Sequence, residues 1–255
     1  MTFDLDGRKW PGTYEELVEQ YSSKTPEERL AERERLNAQE FASWRQQRHD
    51  SAVDMCRRLS EMGARFADRR FSNFLVDDGN RDALEAAQVI ADAACSPNAP
   101  SLGGYLWSIT PGIGKTHLAG AIVNECVDRG TLAVFTTGVG LIMRIRDSYN
   151  KRGNVKEGEL DIIARLTHVR LLALDDVGTE NFTPDVGRLF YALINGRYER
   201  NLGIVITSNL SLASLCRQWT QSGVEEHVGR KLVDRLIEMC NFKVELTGQS
   251  RRGIA

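Results

Sequence analysis

A chain of 255 residues, 42% of them hydrophobic, is long enough for one large domain, or a moderate domain with an appendage, around a substantial core. Its formal net charge of −2 excludes a global field that would draw it to nucleic acid, so any such contact must come from a local patch. The five cysteines (Cys56, Cys95, Cys126, Cys216 and Cys240) are scattered without a CxxC or Cys/His cluster, which argues against a disulfide framework and a structural zinc. The opening MTFDLDGRKW does not read as a signal peptide and no apolar run approaches a membrane span, so a soluble cytoplasmic protein with no membrane partner is expected.

In chain order, Thr13 followed by Glu16 reads as a capping box for a short helix carrying Leu17 and Val18. Thr25-Pro26-Glu27-Glu28 is a stronger start: N-cap, proline at N1 and glutamate at N3. Helix formers then dominate until Gly63, with a possible break near Asp50-Ser51. The earlier half of this run is mostly charge, and its later half carries Phe41, Trp44, Ala52, Met55, Leu59 and Met62 at helical spacing. Two readings stay open: solvated helices laced by i,i+4 pairs, or a helical arm whose Phe41/Trp44 stripe docks on a partner protein. Residues Arg65 to Phe74 form a basic and aromatic patch, and Ala83, Leu84, Ala87, Val89 and Ile90 mark the next helix. A domain boundary is expected near residue 70.

The stretch from Gly104 to Gly120, GYLWSITPGIGKTHLAG, organises the remainder. An apolar run enters a Pro-Gly-x-Gly turn, a Lys-Thr pair follows, and Leu118, Ala119, Ile122, Val123 and Cys126 then recur at helical spacing. Strand, loop, helix is the order that holds a polyphosphate on backbone N–H groups at a helix N-terminus. Gly112 and Gly114 let the loop approach the phosphates closely. Lys115 supplies the charge for the β- and γ-phosphates, and the Thr116 hydroxyl a ligand for Mg²⁺. The usual first glycine of this pattern is replaced by Ile109, so the loop must enter from an extended conformation.

Beyond this point strands and helices alternate, which implies a parallel sheet covered on both faces. Strands are expected at Thr131–Thr137, Val169–Asp175, Ile204–Thr207 and Phe242–Leu246. Helices are expected at Leu141–Tyr149, around Leu160, Ile163 and Leu166, after the Thr183-Pro184 cap, and around Val228, Leu232, Val233, Leu236 and Ile237. The apolar strand ending in Asp175-Asp176 puts two carboxylates at the C-terminal edge of the sheet, where α/β ligands bind. Asp175 is placed to act on the metal and Asp176 to orient or deprotonate a water. Asn209, closing the next strand, is a third polar group at that edge; turn chemistry is its plainer explanation.

The segments GIGKTHLAGAI, RLLALDDVGTE, INGRYERNLGIVITSNL, VGRKLVDRL and LTGQSRRG, in this order, resemble the AAA+ ATPases of the DnaC/DnaI helicase-loader and IstB type. The resemblance runs from about Arg65 to Ala255. It implies a parallel-sheet P-loop core over residues 71–255 without a helical lid, preceded by a helical partner-binding region over residues 1–70. It implies ATP and Mg²⁺ as cofactors. The nucleotide would be held by Pro111, Gly112, Ile113, Gly114, Lys115, Thr116 and His117, with Arg252 as the family's late arginine. Thr116 and Asp175 would hold the metal, Asp176 would act on the water, Asn209 would be sensor 1, and Arg235 the arginine finger reaching a neighbouring subunit. Asp176 stands where many AAA+ proteins carry Glu, and with Ile109 it fits a protein that uses ATP as a switch more than as fuel.

Three functions follow from these features. One is a helicase loader that forms a homo-oligomer in the ATP state, binds a replicative ring helicase through the N-terminal region and delivers it to single-stranded DNA. Another is an IstB-type transposition ATPase assembling on duplex DNA. The third, a small-molecule P-loop kinase, would need an Arg-rich lid, and no such segment stands out. The charged arm with its aromatic stripe leans toward the first. Arg144, Arg146, Lys151 and Arg152 are candidates for gripping a single strand, with Arg69, Arg70 and Phe71 as the alternative.

Overall fold

The computed structural model describes residues 24–60, 67–150, 158–221 and 226–251. The chain divides into two units, Met1–Ser51 and Ala52–Ala255. The expected cap at Thr13 and Glu16 lies outside the described residues, as do Lys151, Arg152 and Arg252.

In the first unit the Thr25 signal acts as read. Helix α1 (Pro26–Leu59) starts there, Glu28 N–H donates to Thr25 Oγ1 at 3.2 Å, and Thr25 N–H donates to Glu28 Oε2 at 2.7 Å. Both bonds are local, so the sequence alone sufficed. The break considered at Asp50-Ser51 does not occur, since α1 runs through both residues. Phe41 and Trp44 stack with ring centroids 5.9 Å apart, yet 56% and 51% of their surfaces stay exposed.

The second unit is built on five parallel strands: β1 (Gly104–Trp107), β2 (Ala133–Thr137), β3 (Leu171–Val177), β4 (Gly203–Ser208) and β5 (Phe242–Glu245), in the order β2-β3-β4-β1-β5. Side chains alternate across the sheet. Leu106, Ala133, Phe135, Leu171, Ala173 and Val205 face α2 (Arg81–Cys95) and α3 (Lys115–Asp128). Tyr105, Val134, Leu172, Leu174, Ile204 and Ile206 share the opposite core with α4 (Gly138–Asn150), α5 (Glu159–Leu166), α6 (Pro184–Glu199), α7 (Leu212–Gln221) and α8 (Glu226–Met239). Apolar runs in β3 and β4 are therefore what two-sided burial demands.

Several periodicities were offset. In α5 it is Ile162 and Leu166 that are buried, while Leu160 is 82% exposed. In α2 Ala83, Ala87 and Ile90 pack inward as expected and Val89 does not. At the end of α1, Val53 joins the core shared with α2 and α3, and Cys56 the opposite core, against which Met55 also packs. Helix α7, anchored by Leu215 and Trp219, is additional to the elements read from sequence.

At the start of β3 and β4 lies a fully buried arginine. Arg197 on α6 donates to the carbonyls of Leu166 (2.5 Å), Val169 (3.1 Å), Arg170 (3.4 Å) and Gly203. Burial lowers its pKa to about 9, and backbone carbonyls take its Nη groups while Nε stays buried without a hydrogen-bond partner among the described residues. This explains the arginine in INGRYERNL as a clamp on the edge of the sheet opposite the loop after β1.

Candidate functional site

The chain leaves β1 beside β4, with Ser108 N–H donating to the Ser208 carbonyl at 3.2 Å, and turns back through residues 109–114 into α3. Gly112 and Gly114 take φ of 76° and 116°, a region that costs a side chain but not glycine. Ile109 does not join them and is 78% exposed, as a non-glycine entry requires. Ile113 is buried beneath the loop, and Pro111 is exposed at its tip. Lys115 is 93% buried, and Nζ donates to the carbonyls of Ser108 (3.1 Å) and Thr110 (3.2 Å). An ammonium held inside a loop by carbonyls is placed to exchange them for phosphate oxygens.

Asp175 is buried, and Thr207 Oγ1 donates to its Oδ1 at 2.5 Å; the Thr116 hydroxyl also helps to pull its carboxyl down. The same Thr207 hydroxyl accepts from the Asp176 N–H at 2.9 Å. Asp176 sits at φ 56°, where the pairing of β3 with β4 shifts register between Leu174 and Val177. Asn209 Nδ2 donates to Asp176 Oδ1 at 3.1 Å. Lys115, Thr116, Asp175, Asp176 and Asn209 thus come together at one edge of the sheet. Thr207 is the member that sequence reasoning missed, since a threonine inside an apolar strand signals only β-propensity.

The other expected residues lie elsewhere. The His117 ring faces the Arg70 carbonyl (3.0 Å) and meets Phe74 edge-on at 5.2 Å, and burial lowers its pKa. Arg235 on α8 rests instead against α6. Its Nη2 donates to Tyr191 Oη at 3.3 Å, and its Cζ lies 4.8 Å over the Tyr191 ring and 5.6 Å from that of Tyr198. Glu238, one turn on from Arg235, accepts from Tyr198 Oη at 2.7 Å. Arg230 on the same helix pairs with Glu226 one turn earlier.

The donors at this edge suit a magnesium nucleotide: a hydroxyl, two carboxylates and a cation, with the oxygens hard and the buried Asp175 lacking a full counter-charge. Burial raises the Asp175 carboxyl to about 6, although the two threonine hydroxyls and Lys115 pull it down. Since the folded value lies above the unfolded one of 3.8, the folded chain takes up this proton first. This contribution to stability therefore grows as pH falls from about 6 toward about 4 and is absent at neutral pH. Asp175→Asn is expected to stabilise the nucleotide-free protein at neutral pH by on the order of 2 kcal/mol and to flatten that dependence, while removing metal-dependent hydrolysis. Thermal melts across the acid-to-neutral range check it; a variant melting below wild type would show that the buried charge carries no penalty.

A parallel sheet with strand order β2-β3-β4-β1-β5, a glycine loop after β1 and paired carboxylates on β3 defines a P-loop ATPase core of the AAA+ class. The model of the IstB-like ATP binding protein family matches residues 14–254, and the chain belongs to that family. It is similar to the insertion sequence IS21 putative ATP-binding protein of Pseudomonas aeruginosa, at 31% identity over 56% of this chain and 49% of that protein. It is also similar to the replicative helicase loader DnaC of Escherichia coli K12, at 26% identity over 73% of this chain and 75% of that one. The crystal structure of DnaI superimposes with a TM-score of 0.61 over 76% of this chain and 95% of DnaI; at 23% identity that likeness concerns the fold. The chain is accordingly an ATP-binding AAA+ ATPase, and no helix among the described residues is long and apolar enough to cross a membrane.

Proposed function

We propose that this protein is an ATP-switched loader that assembles with itself in the ATP state, binds a replicative ring helicase through residues 1–70 and delivers it to single-stranded DNA. The observation that carries this reading is the Phe41–Trp44 stack, two large aromatic side chains left exposed on a charged helix. Aromatic side chains are enriched at the centres of protein interfaces, tryptophan most of all. The relatives named as helicase loaders support the same reading. A second reading, an IstB-type transposition ATPase, is favoured by the IS21 relative at 31% identity. In either reading residues 71–255 form the ATPase domain.

Backbone N–H groups of the loop from Gly112 to Thr116, which Pro111 leads into, bind the phosphates, with Lys115 supplying the charge. Arg252 and His117 belong to the nucleotide's surroundings by family resemblance. Thr116 and Asp175 would hold Mg²⁺, which when bound neutralises charge on the β- and γ-phosphates. Asn209 fixes one oxygen of Asp176 and leaves the other to accept a proton from the attacking water. Arg235 would complete the site of a neighbouring copy.

For single-stranded DNA the candidates are on α4, where Arg146 is exposed and Arg144 half-buried beside the exposed Met143 and Tyr149. Size-exclusion with light scattering, with and without an ATP analogue, a replicative ring helicase and a labelled oligonucleotide, tests the reading. The helicase complex is expected to form with the analogue and to be lost in the Phe41→Ala/Trp44→Ala variant, whose ATPase rate stays at wild type. Oligonucleotide capture is expected to weaken in Arg144→Ala/Arg146→Ala, with the salt slope falling by roughly 0.7 per phosphate contact removed. Assembly on duplex DNA without helicase capture would move the protein to the transposition reading.

A further inference from the structure

The segment after β5 is bonded to both the loop and the linker before α2. Leu246 N–H donates to the Trp107 carbonyl at 2.8 Å and Thr247 N–H to the Gly79 carbonyl at 2.9 Å. A Cβ on Gly79 would come within 2.3 Å of the Thr247 carbonyl oxygen, so the two backbones touch there. Arg251 is the last described residue of this segment and makes the decisive contacts. Its backbone N–H donates to the Gly112 carbonyl at 3.1 Å. Its guanidinium donates to the Leu75 carbonyl and pairs with the Asp77 carboxylate, and Cζ lies 5.6 Å from the Phe74 ring. Phe74 presses on the loop from the same side: a Cβ on Gly114 would meet its ring at 2.8 Å.

The bond to Gly112 fixes a direction. In a trans peptide the carbonyl and the next N–H point opposite ways. With the Gly112 carbonyl held by Arg251, the Ile113 N–H is turned away from Arg251, the orientation a bound phosphate needs. Gly112 and Gly114 have no Cβ and adopt left-handed φ, so they do little by themselves to keep that peptide plane from flipping. Ile113, with its side chain buried, sits between them.

We propose that Arg251 is a positioning residue of the phosphate loop. Its amide holds the Gly112–Ile113 peptide in the phosphate-binding orientation, and its guanidinium anchors that amide to the Leu75–Asp77 segment. The proposal rests on the reading of the Lys115 loop as the nucleotide site. The plainer alternative is a surface ion pair, since the Arg251 and Asp77 side chains are 19% and 48% exposed and such pairs contribute little to stability.

The test uses the full chain with Arg251→Ala, Asp77→Asn, Arg251→Lys and Lys115→Ala, and labelled ADP and ATP as probes. If loss of the anchor lowers the competent fraction of the loop to about a tenth, Arg251→Ala binds both nucleotides about tenfold more weakly. KM for ATP rises by the same factor and kcat at saturation is unchanged, because ground and transition states share the loop equally. Asp77→Asn shifts KM in the same direction and Arg251→Lys restores part of the affinity. Amide exchange at Ile113 and Gly114 quickens in nucleotide-free Arg251→Ala while its melting temperature stays that of wild type. Wild-type affinity for both nucleotides in Arg251→Ala, alongside lost binding in Lys115→Ala, overturns the proposal and leaves the nucleotide site standing. Wild-type affinity in Lys115→Ala overturns the site itself. A large drop in the melting temperature of Arg251→Ala also overturns the proposal, by making the residue a structural brace.

Discussion

Lys115→Ala is expected to weaken ATP binding by roughly 100-fold, corresponding to about 3 kcal/mol for a charge-assisted contact made in a buried loop. The ammonium is already desolvated and held by Ser108 and Thr110 carbonyls, so little reorganisation precedes its contact with phosphate. Alanine removes the charge and leaves those carbonyls without their donor. Equilibrium dialysis with labelled ATP measures the loss, and a melting temperature close to wild type separates it from unfolding. Wild-type affinity would place the nucleotide elsewhere.

Arg235→Ala is expected to lower ATP hydrolysis on the order of 10³-fold while sparing nucleotide binding, if Arg235 completes a neighbour's site. Within its own chain Arg235 rests on Tyr191 and Tyr198, and Nη1 is buried without a hydrogen-bond partner among the described residues. A guanidinium over two tyrosine rings is held there by cation–π attraction. Mixing decides whether it acts across subunits. Arg235→Ala brings an intact loop and Lys115→Ala an intact arginine, so mixed assemblies contain complete interfaces. Activity above that of either variant alone is the expected result. No rise, with Arg235→Ala as active alone as wild type, would make the residue a surface contact between α6 and α8.

Features governed by short-range chemistry were legible in the sequence. The Thr25 capping box, the Thr183 cap of α6 and the glycines of the loop each depend on residues within a turn of one another. The two-faced sheet was legible because burial on both sides makes the first half of β3 and of β4 a continuous apolar run, with polar residues confined to their C-terminal ends. Helix α7 was not, because only Leu215 and Trp219 are buried among polar neighbours, too few to set a period. The inward faces of α5 and of the end of α1 slipped because several apolar residues competed for one stripe, and packing chose Ile162 over Leu160. Long-range contacts were beyond reach altogether. Thr207 between the two carboxylates, Arg197 over the strand starts and Arg251 on the loop are joined to partners about 30 to more than 130 residues away.

Asp176 has one further consequence. A non-glycine residue at φ 56° costs on the order of 1 kcal/mol, and beside it Asp175 keeps a charge that burial opposes. Two adjacent positions are thus locally unfavourable, and both belong to the proposed nucleotide site. A library of variants screened for heat resistance alone would enrich glycine at 176 and asparagine at 175, and its winners would be robust proteins with no turnover. Any effort to make this chain more durable has to hold those two positions fixed and seek its gains elsewhere, on surfaces such as the polar face of α5.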